Sequence, residues 1–264
     1  MIDETQAILE AALQAVRDCE PVALVTVIES RGSAPRGMSA RMLVRADGST
    51  VGTVGGGAAE ARAVQASAAA MQEGQSRELS FRLVDEAQGD AGVCGGDMRL
   101  FVDVLLPRPT LLIMGGGHVG QAVAAQGALI GYRVVVMDER PELLTEERFP
   151  HAHERAVGDL AQLAAEYPFT AHTFVVMVTP HHSVDDEILA AMAPHPVPYV
   201  GLIGSRRRSA LTFERARQRG VPDAFLQQVR TPIGLDIGAE TPQEIAVSII
   251  GEVIAAQRKS RKRS

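Results

Sequence analysis

Residues 111–124 read LLIMGGGHVGQAVA. A short apolar run meets three glycines and then a helix-favouring stretch. Gly115, Gly117 and Gly120 stand in a G-x-G-x-x-G pattern where a strand should pass into a helix. There each glycine has a physical use: a tight turn, close approach of the backbone to a phosphate, and close packing of helix on strand. The helix start, at His118, adds backbone N–H groups and the positive end of the helix dipole, both of which favour an anion. The next apolar run, YRVVVMD, ends at Asp138, where a carboxylate can accept a hydrogen bond from a ribose hydroxyl.

Downstream the pattern repeats. TFVVMVTP and YVGLIG read as further buried strands, with helices expected from Val184 and Arg206. Short apolar strands alternating with helices predict a Rossmann-like, doubly wound parallel sheet. A last helix has a legible start: Thr241 as N-cap, Pro242 in the first turn, and Glu244 completing a capping box. The strand ends carry polar groups at the carboxyl edge, where such sheets bind ligands. Thr179, His181, His182 and Asp185 follow one strand; Ser205 and Arg206 to Arg208 follow the next. The histidines read equally as a solvated turn or as ligand contacts. Arginines at a helix start oppose the dipole, which an anionic ligand or partner would offset.

Upstream, Pro107 and Pro109 in LPRPT mark a stiff linker. The half before it is less regular. A helix is expected near the start, with Asp3 as cap and Ile8, Leu9, Ala12, Leu13 and Val16 at helical spacing. VALVTVIES reads as a strand, and a hairpin is expected about Asp47-Gly48. The alanine-rich run after GTVGGG should be a helix ending at Gly74, and RELSFRL and MRLFVDVLL are two more strands. This mixture is an α+β domain. The expected division is an α+β domain over 1–106, a Rossmann-like domain over 110–257 and a basic tail over 258–264.

Composition narrows the function. The chain has 264 residues, 46% hydrophobic and 22% charged, with a net charge of −6. That charge disfavours nucleic acid as partner. No apolar run approaches the roughly 20 residues of a membrane span. The acidic N-terminus lacks the basic start of a signal peptide. Cys19 and Cys94 are the only cysteines, too few for a disulfide framework or a zinc set. A reducing cytoplasm is the expected compartment.

The first half gathers unusual residues. Arg31, Ser33 and Arg36 lie in a basic glycine-containing loop, and Arg41 follows. Together with Gly55, Gly56 and Gly57 they read either as an anion site or as surface loops with incidental charge. Glu60 is the last residue but one of the GTVGGGAAEA segment. Cys94 precedes Gly95 and Gly96 in VCGGDM. A lone cysteine is usually a small buried hydrophobe, but in a glycine-rich turn it is a candidate reactive thiolate or metal ligand.

These segments, in order, resemble the XdhC/CoxI family of xanthine dehydrogenase accessory proteins. The pieces are ESRGSAPRGMSARMLV, GTVGGGAAEA, VCGGDMRLFVDVL, LLIMGGGHVGQAVA, ERFP, VGLIGSRRR and GLDIGAETPQEIAVSI, and they span nearly the whole chain. The resemblance implies an N-terminal XdhC/CoxI domain followed by a Rossmann domain, often as a homodimer. It implies a chaperone without turnover of its own. Such a protein binds the molybdenum cofactor (molybdopterin), works with a cysteine desulfurase that installs a terminal sulfido ligand, and delivers the cofactor to an apo molybdenum hydroxylase. The chemistry of the residues agrees with such a cargo, since a glycine-rich helix start can hold phosphate and arginines can clamp anionic oxygens; the candidate cofactor contacts are Arg31, Ser33, Arg36, Arg41, Gly55, Gly56, Gly57, Glu60, Gly95, Gly96, Gly115, Gly117, His118, Gly120, Asp138, Thr179, His181, Ser205 and Arg206. The rival expectation from the residues alone is an NAD(P)-dependent oxidoreductase built on Gly115, Gly117, Gly120 and Asp138. One position departs from the family: many relatives have cysteine directly after the triple glycine, and here Ala58 stands there. That leaves Cys94 as the thiol candidate, for a soft-ligand or sulfur-relay role.

Overall fold

The computed structural model describes residues 3–18, 20–31, 38–82, 97–180 and 183–263. The chain forms two units, one of Met1–Pro107 with Arg261–Ser264 and one of Arg108–Ser260.

In the first unit the strands are β1 (Val22–Arg31), β2 (Arg41–Arg45), β3 (Thr50–Gly52), β4 (Arg77–Arg82) and β5 (Asp97–Leu105). They make one sheet in the order β3-β2-β1-β5-β4, with every pairing antiparallel. Successive side chains of a strand point to opposite faces, and both faces are used. Ala23, Val25 and Val27 join Ala59, Ala63, Ala70 and Met71 of α2 (Gly57–Glu73) in one cluster. Val22 and Leu43 join Ile8, Ala12 and Ala15 of α1 (Glu4–Arg17) in another. The alanines of α2 thus have a packing use: small side chains bring the helix close to the sheet. Gly74 ends α2 in the left-handed conformation at φ 63°, and Gly48 turns the β2–β3 hairpin at φ 82°.

Helix α1 differs from its sequence pattern. Ile8, Ala12 and Ala15 are buried, whereas Leu9, Leu13 and Val16 are 54%, 51% and 41% exposed. Both sets have i, i+4, i+7 spacing and lie on adjacent stripes of the helix; the stripe carrying Ala12 and Ala15 is the one that packs on the sheet. Asp3 occupies the cap position without a side-chain hydrogen bond.

The second unit holds β6 (Thr110–Met114), β7 (Arg133–Asp138), β8 (Glu154–Val157), β9 (Thr173–Met177) and β10 (Tyr199–Leu202). All are parallel, in the order β10-β9-β6-β7-β8. Every residue of β6 and β9 is buried, because helices cover both faces. Leu111 and Ile113 pack with α3 (His118–Leu129) and α8 (Pro242–Arg263). Leu112 and Met114 pack with α4 (Leu160–Glu166), α5 (Asp185–Met192) and α6 (Arg206–Gln218). Burying each such aliphatic side chain contributes about 1.5–3 kcal/mol. The order reverses between β6 and β9, which makes the carboxyl end of that pair the topological switch point.

The capping box of α8 is formed: the Glu244 N–H donates to Thr241 Oγ1 at 3.3 Å and the Thr241 N–H to Glu244 Oε2 at 2.9 Å. The helix then continues to Arg263, so the backbone expected as a separate basic tail is helical through that residue. Helix α4 escapes the sequence pattern because it is short; Asp159 caps it, accepting the Gln162 N–H at 2.8 Å. A 3-10 turn at Pro141–Leu143 stands in the β7–β8 connection.

Candidate functional site

The turn from β6 into α3 lies at the switch point, and its glycines are there for different reasons. Gly115 has φ +120°, and a Cβ on it would lie 2.5 Å from the Val178 carbonyl oxygen and 3.1 Å from the Thr179 nitrogen. A side chain at Gly116 would meet Leu144 Cδ2 at 2.9 Å, and one at Gly120 would lie 1.9 Å from the Gly115 carbonyl oxygen. Gly117 is unlike these. It has φ −68° and ψ −170°, which any residue adopts, and a Cβ there would meet nothing within 4 Å. Neither conformation nor packing requires glycine at 117. It leaves bare backbone at the N-terminus of a 12-residue helix, a cradle suited to an anionic group.

Two charged side chains hold the turn. The Gly116 N–H donates to Asp138 Oδ2 at 2.6 Å, and the Gly116 carbonyl accepts from Arg148 Nη2 at 3.2 Å. Arg148 Nε also donates to the Leu143 carbonyl at 3.1 Å. Asp138 is buried and receives Arg140 as a fork: Nε to Oδ1 at 2.8 Å and Nη2 to Oδ2 at 2.9 Å, with the Arg140 N–H to Oδ1 at 2.9 Å. Burial pushes the Asp138 pKa up, but the Arg140 and Gly116 hydrogen bonds outweigh it and hold the carboxyl below its ordinary value.

Other candidates sit at the same edge. Thr179 is buried and donates to buried Asp185 Oδ1 at 2.7 Å, fastening β9 to α5. Ser205 N-caps α6, its hydroxyl accepting the Arg208 N–H at 3.4 Å. Arg206 and His118 are exposed at their helix starts. His181 lies outside the described residues. Arg140 and Arg148 were missed by the sequence reading. Their signals were present: Arg140 stands two places after the strand-end Asp138, and Arg148 is the arginine of ERFP.

In the first unit, Gly55, Gly56 and Gly57 have φ of 130°, 79° and 64°. Their loop is organised by Glu60. Its Oε1 accepts the Val54 N–H at 3.2 Å, the Gly56 N–H at 2.9 Å and the Thr53 hydroxyl. Burial raises the Glu60 pKa, and these hydrogen bonds outweigh it, leaving the carboxyl below its ordinary value. Arg41 is exposed at the start of β2, near the loop along the Met42–Gly52 pairing. Arg31 is exposed at the far end of β1 and pairs with Glu29 at 2.7 Å. Ser33, Arg36, Cys94, Gly95 and Gly96 lie outside the described residues. Among the described residues no group of three or more His, Cys, Asp or Glu side chains could hold a metal ion, and no helix is long and apolar enough to cross a membrane.

Comparison with known proteins gives this geometry a lineage. Residues 111–253 match the family model described as the XdhC Rossmann domain, and residues 15–82 match the XdhC and CoxI family. The uncharacterized Escherichia coli protein YqeB is 37% identical over 95% of this chain and 46% of its own length. A Bacillus subtilis protein, described as a probable xanthine dehydrogenase subunit, is 32% identical over 61% of this chain and 46% of its own. The chain therefore spans about half the length of these two relatives. The molybdenum cofactor insertion chaperone PaoD of Escherichia coli is 23% identical over 97% of this chain and 90% of its own length. A crystal structure described as a xanthine dehydrogenase from Bacillus halodurans superposes with a TM-score of 0.53 at 22% identity, covering 96% of both chains. It shares the fold.

Proposed function

The chain belongs to the XdhC and CoxI family, and from that premise we propose that it binds the molybdenum cofactor as cargo and delivers it to an apo molybdenum hydroxylase of the xanthine dehydrogenase type. The observation that carries the reading is Gly117, a glycine that the fold itself does not require, at a helix start braced by Asp138 and Arg148. The likeness to PaoD over nearly the full length of both chains supports it.

In this reading the cargo's phosphate lies at the β6–α3 turn, where the first turn of α3 at Gly117 and Arg140 flank Asp138. Exposed Arg206 and the neighbouring α6 arginines supply positive charge at the same sheet edge. Gly115 and Gly120 keep the turn closed, and Arg148 and Asp138 fix the Gly116 peptide. Within the first unit by itself, Arg31, Ser33, Arg36, Arg41 and the Gly55–Gly57 loop are candidate contacts for anionic or carbonyl oxygens. With Ala58 after the glycines, the chain brings no thiol to that loop. Cys94, beside Gly95 and Gly96, is the thiol for contact with molybdenum or for sulfur relay, with a cysteine desulfurase as sulfur donor. In the same reading the protein works in the cytoplasm as a homodimer.

The competing reading is an NAD(P)-dependent oxidoreductase, favoured by the sheet order and the glycine turn. Anaerobic incubation with molybdenum cofactor, followed by desalting and metal analysis, separates the two. Retained molybdenum is expected. Tight NADH binding, read by fluorescence quenching, with no retained molybdenum overturns the chaperone reading.

A further inference from the structure

Dinucleotide-binding sheets end their second strand on a carboxylate that accepts the ribose hydroxyls of NAD, and an arginine nearby accommodates the 2′-phosphate of NADP. Asp138 stands at that place, at the end of β7. Its acceptor capacity is already committed. A carboxylate has about four lone-pair positions, and Asp138 fills them with the Gly116 N–H, the Arg140 N–H, Arg140 Nε and Arg140 Nη2. A ribose diol needs those same acceptors. To gain them it would have to strip a bidentate guanidinium from a buried carboxylate, leaving charge unpaired. Arg140, by contrast, spends two of its five N–H donors on Asp138, and its side chain is 40% exposed. The position that would read a ribose diol presents the exposed part of the Arg140 guanidinium, with Glu139 and Glu142 close enough to act on its charge.

We propose that the Asp138–Arg140 pair makes this crevice select a phosphomonoester and reject the ribose diol of NAD. The inference rests on the reading of the β6–α3 turn as the ligand site and deepens it. Arg140 is the specificity-determining residue. Asp138 is a positioning residue that holds both Arg140 and the Gly116 peptide. A terminal phosphate on molybdopterin and the 2′-phosphate of NADP share the required chemistry, and the experiment distinguishes them.

The test is fluorescence titration of the full chain with four probes: NADH, NADPH, and oxidised molybdopterin with and without its terminal phosphate. Phosphorylated molybdopterin is expected to bind about tenfold or more tightly than the dephosphorylated form, and NADH to bind more weakly still, since one charge-assisted contact carries about that factor. Arg140→Gln should erase the phosphate preference and, by freeing Asp138 acceptors, raise NADH affinity. Arg140→Lys, which keeps the charge but not the fork, should retain part of the preference. Melting curves for both variants confirm folding, and the lysine variant carries the test if the glutamine variant unfolds.

Wild-type binding of NADH as tight as that of the phosphomonoesters overturns the inference, as does a phosphate preference unchanged in Arg140→Gln. If molybdopterin binds equally well with and without its phosphate, the inference fails while the cargo reading stands. If neither molybdopterin binds but NADPH exceeds NADH tenfold through Arg140, the selectivity holds and the cargo reading fails.

Discussion

The backbone N–H of Gly116 donates to Asp138 Oδ2 at 2.6 Å, so the end of one parallel strand fixes the glycine turn that follows its neighbour. Replacing Asp138 with alanine removes that acceptor and leaves the Arg140 fork without its carboxylate. The loss should be about 1–3 kcal/mol, read by urea unfolding as a lowered midpoint with an unchanged slope. An unaltered midpoint would mean that the turn holds itself.

Gly117 and Gly120 should part company under the same substitution. Gly117→Ala meets no atom within 4 Å and has an ordinary φ. It should leave stability unchanged or raise it by about 0.4–1 kcal/mol, yet weaken cargo binding. Gly120→Ala drives a methyl to 1.9 Å from a carbonyl oxygen and should destabilise by about 1–3 kcal/mol. Calorimetric melting beside molybdenum retention checks both. Equal loss of stability in the two variants would contradict these separate roles in the turn.

Gly56 tests conformation alone. At φ 79° and ψ −179° it occupies a region open to glycine and almost nothing else, while a Cβ would touch no neighbour. Gly56→Ala should therefore cost about 1–3 kcal/mol from backbone strain. Denaturant unfolding measures it, and a neutral variant would show that the loop relaxes freely.

Acid stability follows from two carboxylates. Asp138 and Glu60 are held below their ordinary values of 3.8 and 4.5. In the pH range between folded and unfolded values the unfolded chain binds more protons, so stability rises with pH. The contribution is fully present above the ordinary values and is lost as pH falls through the lowered ones. Asp138→Asn should flatten the slope of stability against pH below about pH 4. An unchanged acid limb would remove Asp138 from the set of stabilising carboxylates.

Cys94 separates sulfur chemistry from packing. On the proposed function, Cys94→Ser should abolish activation of an apo molybdenum hydroxylase and leave the melting temperature near wild type. Full activation by the serine variant would assign the cysteine to structure.

The parallel sheet was legible because its signals are local: buried β-branched runs, a glycine turn at a strand end, and the capping box of Thr241 and Glu244. The outer side of α1 was not. Leu9, Leu13 and Val16 satisfy helical spacing as well as Ile8, Ala12 and Ala15 do, and only the sheet surface decides which set is buried. The glycines of the site could be found from spacing, but their separate reasons could not. Gly115 and Gly120 answer to atoms distant in sequence or hidden in the turn, and Gly117 answers to none. Arg140 and Arg148 escaped notice because their partners are backbone groups and a carboxylate that folding brings to them. Pattern recognition treats Asp138 as an acceptor awaiting a ligand; the structure places Arg140 on it.

The central claim is that this chain carries molybdenum cofactor to a hydroxylase. The direct measurement is anaerobic loading, gel filtration and addition to an apo molybdenum hydroxylase, following molybdenum content and substrate turnover together. Molybdenum is expected to co-elute with the protein, and the hydroxylase to gain activity as this chain loses metal. Elution without molybdenum, with no gain in hydroxylase activity, would contradict the claim.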